Sequence, residues 1–197
     1  MKSRFAKIGL IVVLLAIVGG GYMFWRIKTP PTVGEDFKTF SPEEKTRRRE
    51  DARKLEDQIR EVTRKVKNGD KSPFRLAASE AQLNTLLQDR INTDKFPIHD
   101  LRAGLDDGKL TLQGTAPYKG TDVQVTVSGK VSARDGKIDY EVESLLLGGL
   151  FQAPDKWKRK VEKQVTPQIN KALEHENINI TRAAVEDKQL ILEGVPR

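Results

Sequence analysis

Residues Asp122–Ala133 read DVQVTVSGKVSA. Val123, Val125, Val127, Val131 and Ala133 fall on one face of an extended chain, and Asp122, Gln124, Thr126, Ser128, Lys130 and Ser132 on the other. Successive side chains of a strand point to opposite faces, so this period of two predicts a strand with one aliphatic and one wet face. Working outward, Lys119-Gly120 supplies a turn before it and Asp135-Gly136 a two-residue hairpin signal after it. KIDYEVES then continues with Ile138, Tyr140 and Val142 aligned. Upstream, Leu110, Leu112, Gly114, Ala116 and Tyr118 share a face in KLTLQGTAPY, Asp107-Gly108 marks another hairpin, and Leu101, Ala103 and Leu105 align in HDLRAGL. The prediction is an antiparallel four-strand meander.

Helical spacing brackets it. Ser79 and Glu80 open AQLNTLLQDRI, with Leu83, Leu86, Leu87 and Ile91 on one side, and Phe96-Pro97 breaks the pattern. After the meander, Ser144 to Phe151 (SLLLGGLF) disrupts the alternation. A second helix starts at Pro154 or Asp155, with Trp157, Val161, Val165, Ile169, Ala172 and Leu173 as its apolar stripe. Thr166-Pro167 should kink it or restart it, because proline cannot donate to the preceding turn. Two last strands, INITRAAV and KQLILEGV, join at Glu186-Asp187-Lys188. Residues 72–197 are thus expected to form an α+β domain, a sheet of about six strands packed on two helices.

The N-terminal third is different. Ile8–Trp25 is free of charge, with Lys2, Arg4 and Lys7 before it and Arg26 and Lys28 after it. As a helix it would span about 27 Å, close to a bilayer's hydrocarbon thickness. Tyr22 and Trp25 stand where interfacial aromatics would sit. A cleaved secretory signal and a buried helix are the alternatives, but bulky Tyr22-Met23-Phe24-Trp25 is a poor cleavage context. Residues 1–28 read as a retained single-pass transmembrane helix with the N-terminus cytoplasmic and the bulk of the chain extracytoplasmic. Residues 29–71 read as a linker, with an extended spacer over Thr29–Phe40, and then a charged amphipathic stalk helix. Ser41-Pro42-Glu43-Glu44 starts that helix and Asn68-Gly69 ends it, about 39 Å on. Its apolar seam, Ala52, Leu55, Ile59, Val62 and Val66, suits a solvated stalk, a helix packed on its own domain, or self-association through 42–67.

The net charge of +7 lies beside the anchor: residues 1–7 carry three basic side chains, residues 26–71 carry 14 basic and 10 acidic, and residues 72–197 carry 18 of each. A nucleic-acid partner is not expected of a balanced folded domain. Basic residues near the anchor suggest anionic lipid headgroups instead. The absence of cysteine excludes disulfides, thiolate zinc sites and cysteine nucleophiles. His99 and His175 come from different elements, and no phosphate loop, GxSxG, HExxH or EF-hand spacing occurs. Asp106, Asp107 and Asp135 are explained by their turns. No catalytic residue, metal or cofactor is expected, and the chain does not read as an enzyme. The unusual segment is Leu145–Lys160, LLLGGLFQAPDKWKRK. Its Leu146, Leu147, Leu150, Phe151, Trp157, Lys158 and Arg159 have the composition of an interfacial membrane contact, against the simpler reading of core-capping residues beside solvated lysines.

Ser79, Gln82-Leu83-Asn84, Leu86-Leu87, Ser144–Leu150, Thr166–Asn170 and the closing Val185-Glu186-Asp187, Leu190 and Leu192-Glu193-Gly194 resemble the bacterial membrane-anchored LmeA-like and YpmS-like families, which belong with or near the tubular lipid-binding (TULIP) domains. The resemblance covers roughly residues 74–195 and the anchor; the helix at 42–67 lies outside it. It implies a long helix cradled by a curved antiparallel sheet, an aliphatic groove able to hold acyl chains, and no catalytic residues. The expected groove lining is Leu110, Leu112, Val123, Val125, Val127, Ile138, Tyr140, Val161 and Val165. The function expected is a membrane-tethered extracytoplasmic module of the cell envelope that binds or handles lipid, with phospholipid as its partner. The alternative is a membrane-anchored protein-interaction scaffold with a fully packed core.

Overall fold

The structure, a computed structural model, describes residues 33–34, 37–90, 99–118, 121–149, 151–175 and 177–197. Ile8–Trp25, read as the anchor, lies outside them; among the described residues no helix is long and apolar enough to cross a membrane. Among the described residues the fold is α+β, with three helices, α1 (Pro42–Lys67), α2 (Glu80–Arg90) and α3 (Asp155–His175), and eight strands. The strands are β1 (Phe74–Ser79), β2 (His99–Asp106), β3 (Lys109–Tyr118), β4 (Thr121–Arg134), β5 (Lys137–Leu147), β6 (Phe151–Gln152), β7 (Ile178–Glu186) and β8 (Gln189–Pro196).

The meander β2–β5 forms as expected, but the strands do not make one six-strand sheet. They divide into a five-stranded sheet, order β2-β3-β4-β5-β6, and a three-stranded sheet, order β1-β8-β7. Two strands escaped the pattern reading, β1 and the two-residue β6. The broken alternation at Ser144 has a local cause. The β4–β5 register shifts between Ser128 and Gly129, so the partner of Ser128 is Ser144 and that of Gly129 is Val142. This bulge at Glu143 changes the phase of β5, putting Leu145 and Leu147 on the same face as Ile138, Tyr140 and Val142. Gly129 makes the close approach there: a Cβ would lie 2.2 Å from the Glu141 carbonyl oxygen.

The stalk helix has the expected limits and caps. Ser41 Oγ accepts from the Glu44 N–H at 3.2 Å, Pro42 opens the first turn, and Asn68 closes the last. Its place is not that of a free stalk. Leu55 is 3% exposed, Ala52 and Val62 are buried, and Ile59 and Val66 pack against the common hydrophobic cluster. The seam packs on the chain's own core, alongside α2 and β1. The spacer before it is not wholly extended: Phe37–Thr39 form a 3-10 turn with Phe37 buried. Val33 donates its N–H to Gln113 Oε1 at 2.9 Å and occupies the space over Gly104.

At Pro167 helix α3 runs through without a restart. Two docking side chains flank the proline and hold the helix to one strand. Glu162 Oε1 accepts from the Val142 N–H at 2.8 Å, and Asn170 bonds both backbone groups of Ile138. Tertiary contacts on both sides offset the one missing backbone donor.

Two stretches of the fold repeat each other. Gln82-Leu83-Asn84 of α2 corresponds to Gln168-Ile169-Asn170 of α3. Arg102-Ala103, Asp107, Leu110, Leu112 and Gly114 correspond to Arg182-Ala183, Asp187, Leu190, Leu192 and Gly194, each offset by 80. The backbone repeats as well: both hairpins turn on two consecutive positive-φ residues, Asp107-Gly108 and Asp187-Lys188. Both strand pairs carry a register shift, between His99 and Arg102 and between Ile180 and Arg182.

Candidate lipid-contacting site

The open flanks of the five-stranded sheet, β2 and the part of β5 that β6 leaves unpaired, are sealed in the same way by two helices. A strand edge presents unpaired backbone groups that need partners. On β2, Asn84 accepts from the Ala103 N–H at 2.7 Å and donates to its carbonyl at 2.8 Å, while Glu80 accepts from the Leu105 N–H at 2.9 Å. On β5, Asn170 and Glu162 do the equivalent work at Ile138 and Val142. Asn84 sits at the repeated position of Asn170, so a comparison of the chain with itself would have found both. A reading for hydrophobic period ranks asparagine as surface and passes over them.

Between the sealed edges lies the aliphatic face. Across the sheet, Ala103, Leu112, Val127 and Leu145 stand in register. Leu110, Leu112, Val127, Ile138, Tyr140 and Val161 of the expected lining are buried in one hydrophobic cluster, and Val125 packs partly buried against it. Val165 lies outside the residues whose side chains are described. Tyr140 donates its hydroxyl to the Leu110 carbonyl at 3.1 Å. Burial, and to a lesser degree the Glu143 charge, pushes the phenol's pKa above its ordinary value.

Cover thins along the strands toward one end. On β4 exposure grows from Val127, at 1%, to half-buried Val125 and Val123. On β5 the buried Leu145 is followed by half-buried Leu147, whose partner on β6 is Phe151. Phe151 is 52% exposed, the one large apolar side chain so placed among the described residues. Trp157, partly buried, packs against the cluster. The end is built by tight turning: Gly148 and Gly149 both have positive φ, 61° and 74°, and the Gly148 N–H donates to the Gln124 carbonyl at 2.8 Å.

Residues expected in two separate roles therefore meet on one surface. Val125, expected in the groove, pairs with Leu147, and Leu147 with Phe151, both expected at the membrane, while Trp157 packs against the same buried cluster as Val125 and Leu147. Leu146 does not join them; it pairs with Thr126 and Gln152 on the opposite face. Leu150 lies outside the described residues. Lys158 pairs with Asp155 at 3.2 Å, and Arg159 is exposed. His99 is exposed, and no group of three potential metal ligands occurs among the described residues. No family profile, curated protein or solved structure matches the chain.

Proposed function

We propose that this chain is a membrane-tethered, extracytoplasmic, non-catalytic module that handles lipid, taking acyl chains along the apolar face of the five-stranded sheet. The observation that carries the reading is the graded uncovering of that face, from fully buried Val127 through Val125 and Leu147 to exposed Phe151. An apolar surface that continues past its cover is the kind of patch that marks an interaction site. Each buried lipid methylene contributes about 0.8 kcal/mol, so an acyl chain needs no specific polar partner here. The charge-free Ile8–Trp25 and the family resemblance support the same reading. Its test compares lipid co-purifying with the full chain and with Val125→Asp, which puts a carboxylate on the half-covered face. The variant should lose most bound lipid with its secondary structure intact; equal lipid in both would refute the proposal.

A second reading, a protein-interaction scaffold, is favoured by an open groove of about 460 Å³ between α1 and α2. Its walls are charged, Arg49, Arg53, Glu56 and Asp89, with Ala52 and Leu86 between them. Partner capture lost on Arg53→Glu, with bound lipid unchanged, would favour this alternative.

A further inference from the structure

The lipid-handling reading leaves open which end of the domain meets the bilayer, and the geometry points to one. The β2–β3 and β4–β5 turns close one end of the sheet with Asp107-Gly108 and Asp135-Gly136. The opposite end carries the β5–β6 turn with Phe151 and the start of α3 with Trp157. Glu162 bonds β5 at Val142 and Asn170 bonds it at Ile138, so α3 runs from this end toward the Asp-Gly turns.

The first turns of α3 hold Lys156, Lys158 and Arg159, with Asp155 as the acidic residue there. A helix N-terminus carries partial positive charge and disfavours cations, so helix stability does not account for this cluster. Lys158 is paired with Asp155, while Lys156 and Arg159, in the helix that follows the exposed Phe151 in the chain, are exposed. Seven residues separate Trp25 from Val33, and the eight peptide steps between them reach at most about 28 Å. Val33 sits at Gly104, about 17 Å along β2 from the uncovered end. The leash therefore allows this end to touch the bilayer that holds the anchor.

Resting on the lipid-handling reading, we propose that the uncovered end docks on an anionic bilayer surface. Phe151 enters the interface and Lys156 and Arg159 face lipid phosphates. Attraction of basic side chains to anionic leaflets and burial of an aromatic in the interface act together in such contacts. Docking would set the apolar face open toward the lipid, so that an acyl chain passes from bilayer to protein without crossing water.

The chain has no native cysteine, so a spin label on Gln152→Cys reports this end with Phe151 kept. The full chain is reconstituted in vesicles of phosphatidylcholine alone or mixed with phosphatidylglycerol. In the mixed vesicles the label should become accessible to oxygen and shielded from a water-soluble nickel chelate. Lys156→Glu/Arg159→Glu, and separately Phe151→Asp, should return it to water. A label on Asp135→Cys, at the opposite end, should stay aqueous throughout. An aqueous Gln152 label in anionic vesicles, insertion indifferent to charge reversal, or insertion at Asp135 would each overturn the proposal. Lipid extracted from the same preparations separates the two readings: bound lipid with an aqueous label sinks the docking alone, and an inserted label without bound lipid sinks the lipid-handling reading alone.

Discussion

Asn84 and Asn170 each satisfy a donor and an acceptor on a strand edge that the fold buries. Replacing either with alanine leaves both backbone groups unpaired, and an unsatisfied buried polar group costs roughly 1–3 kcal/mol. Asn84→Ala and Asn170→Ala should each lower the midpoint of chemical denaturation by an amount in that range or above. A spacing reading finds the aliphatic residues because they repeat, and misses these two because their role depends on which strand edge the helix reaches. Tyr140 makes a pH prediction at the same scale. Its folded-state pKa lies above the unfolded value, so its stabilisation is complete below about pH 10 and is lost as pH rises through the folded-state value. In an alkaline titration followed by tyrosinate absorbance, its signal should appear only with unfolding. Tyr140→Phe should remove that step. A step for Tyr140 at ordinary tyrosine pH in the folded protein would contradict the burial described.

Among the elements, α1 takes one of the places its sequence allowed, against its own domain. Its boundaries were legible because Ser41, Pro42 and Asn68 act within the chain's nearest neighbours. Its destination was not, because a five-residue apolar seam fits a partner helix or the chain's own sheet equally well. Leu55 decides the matter at 3% exposure, and Leu55→Ala should cost about 2–5 kcal/mol by removing a buried side chain from the core. A fragment starting at Ser72 should lose cooperative unfolding in calorimetry; a sharp transition unchanged from the full chain would show α1 to be dispensable. Strand β1 was hidden for another reason. Phe74, Leu76 and Ala78 do alternate, but over only six residues that run straight into the Ser79 cap of α2. In β5 the bulge at Glu143 disguised a continuous apolar face as a broken one.

At the scale of the whole molecule, the α+β class and the meander followed from local period and turn chemistry. The split into two sheets did not, since period two says which face a residue takes and nothing about which strand it joins. The candidate site was legible in pieces. Val125 and Leu147 lie on strands joined by a distant hairpin, and a tight double-glycine turn separates Leu147 from Phe151 and Trp157, so only the fold supplies their meeting. What joins them is a single apolar surface that leaves its cover at one end of the sheet.

That surface makes lipid occupancy the central claim. Native mass spectrometry of the full chain, released from a membrane-containing host in mild detergent, measures it directly. The account predicts discrete adducts at the mass of a phospholipid, weakened by Val125→Asp and unchanged by Arg53→Glu. A lipid-free spectrum across detergents that preserve the fold would contradict it.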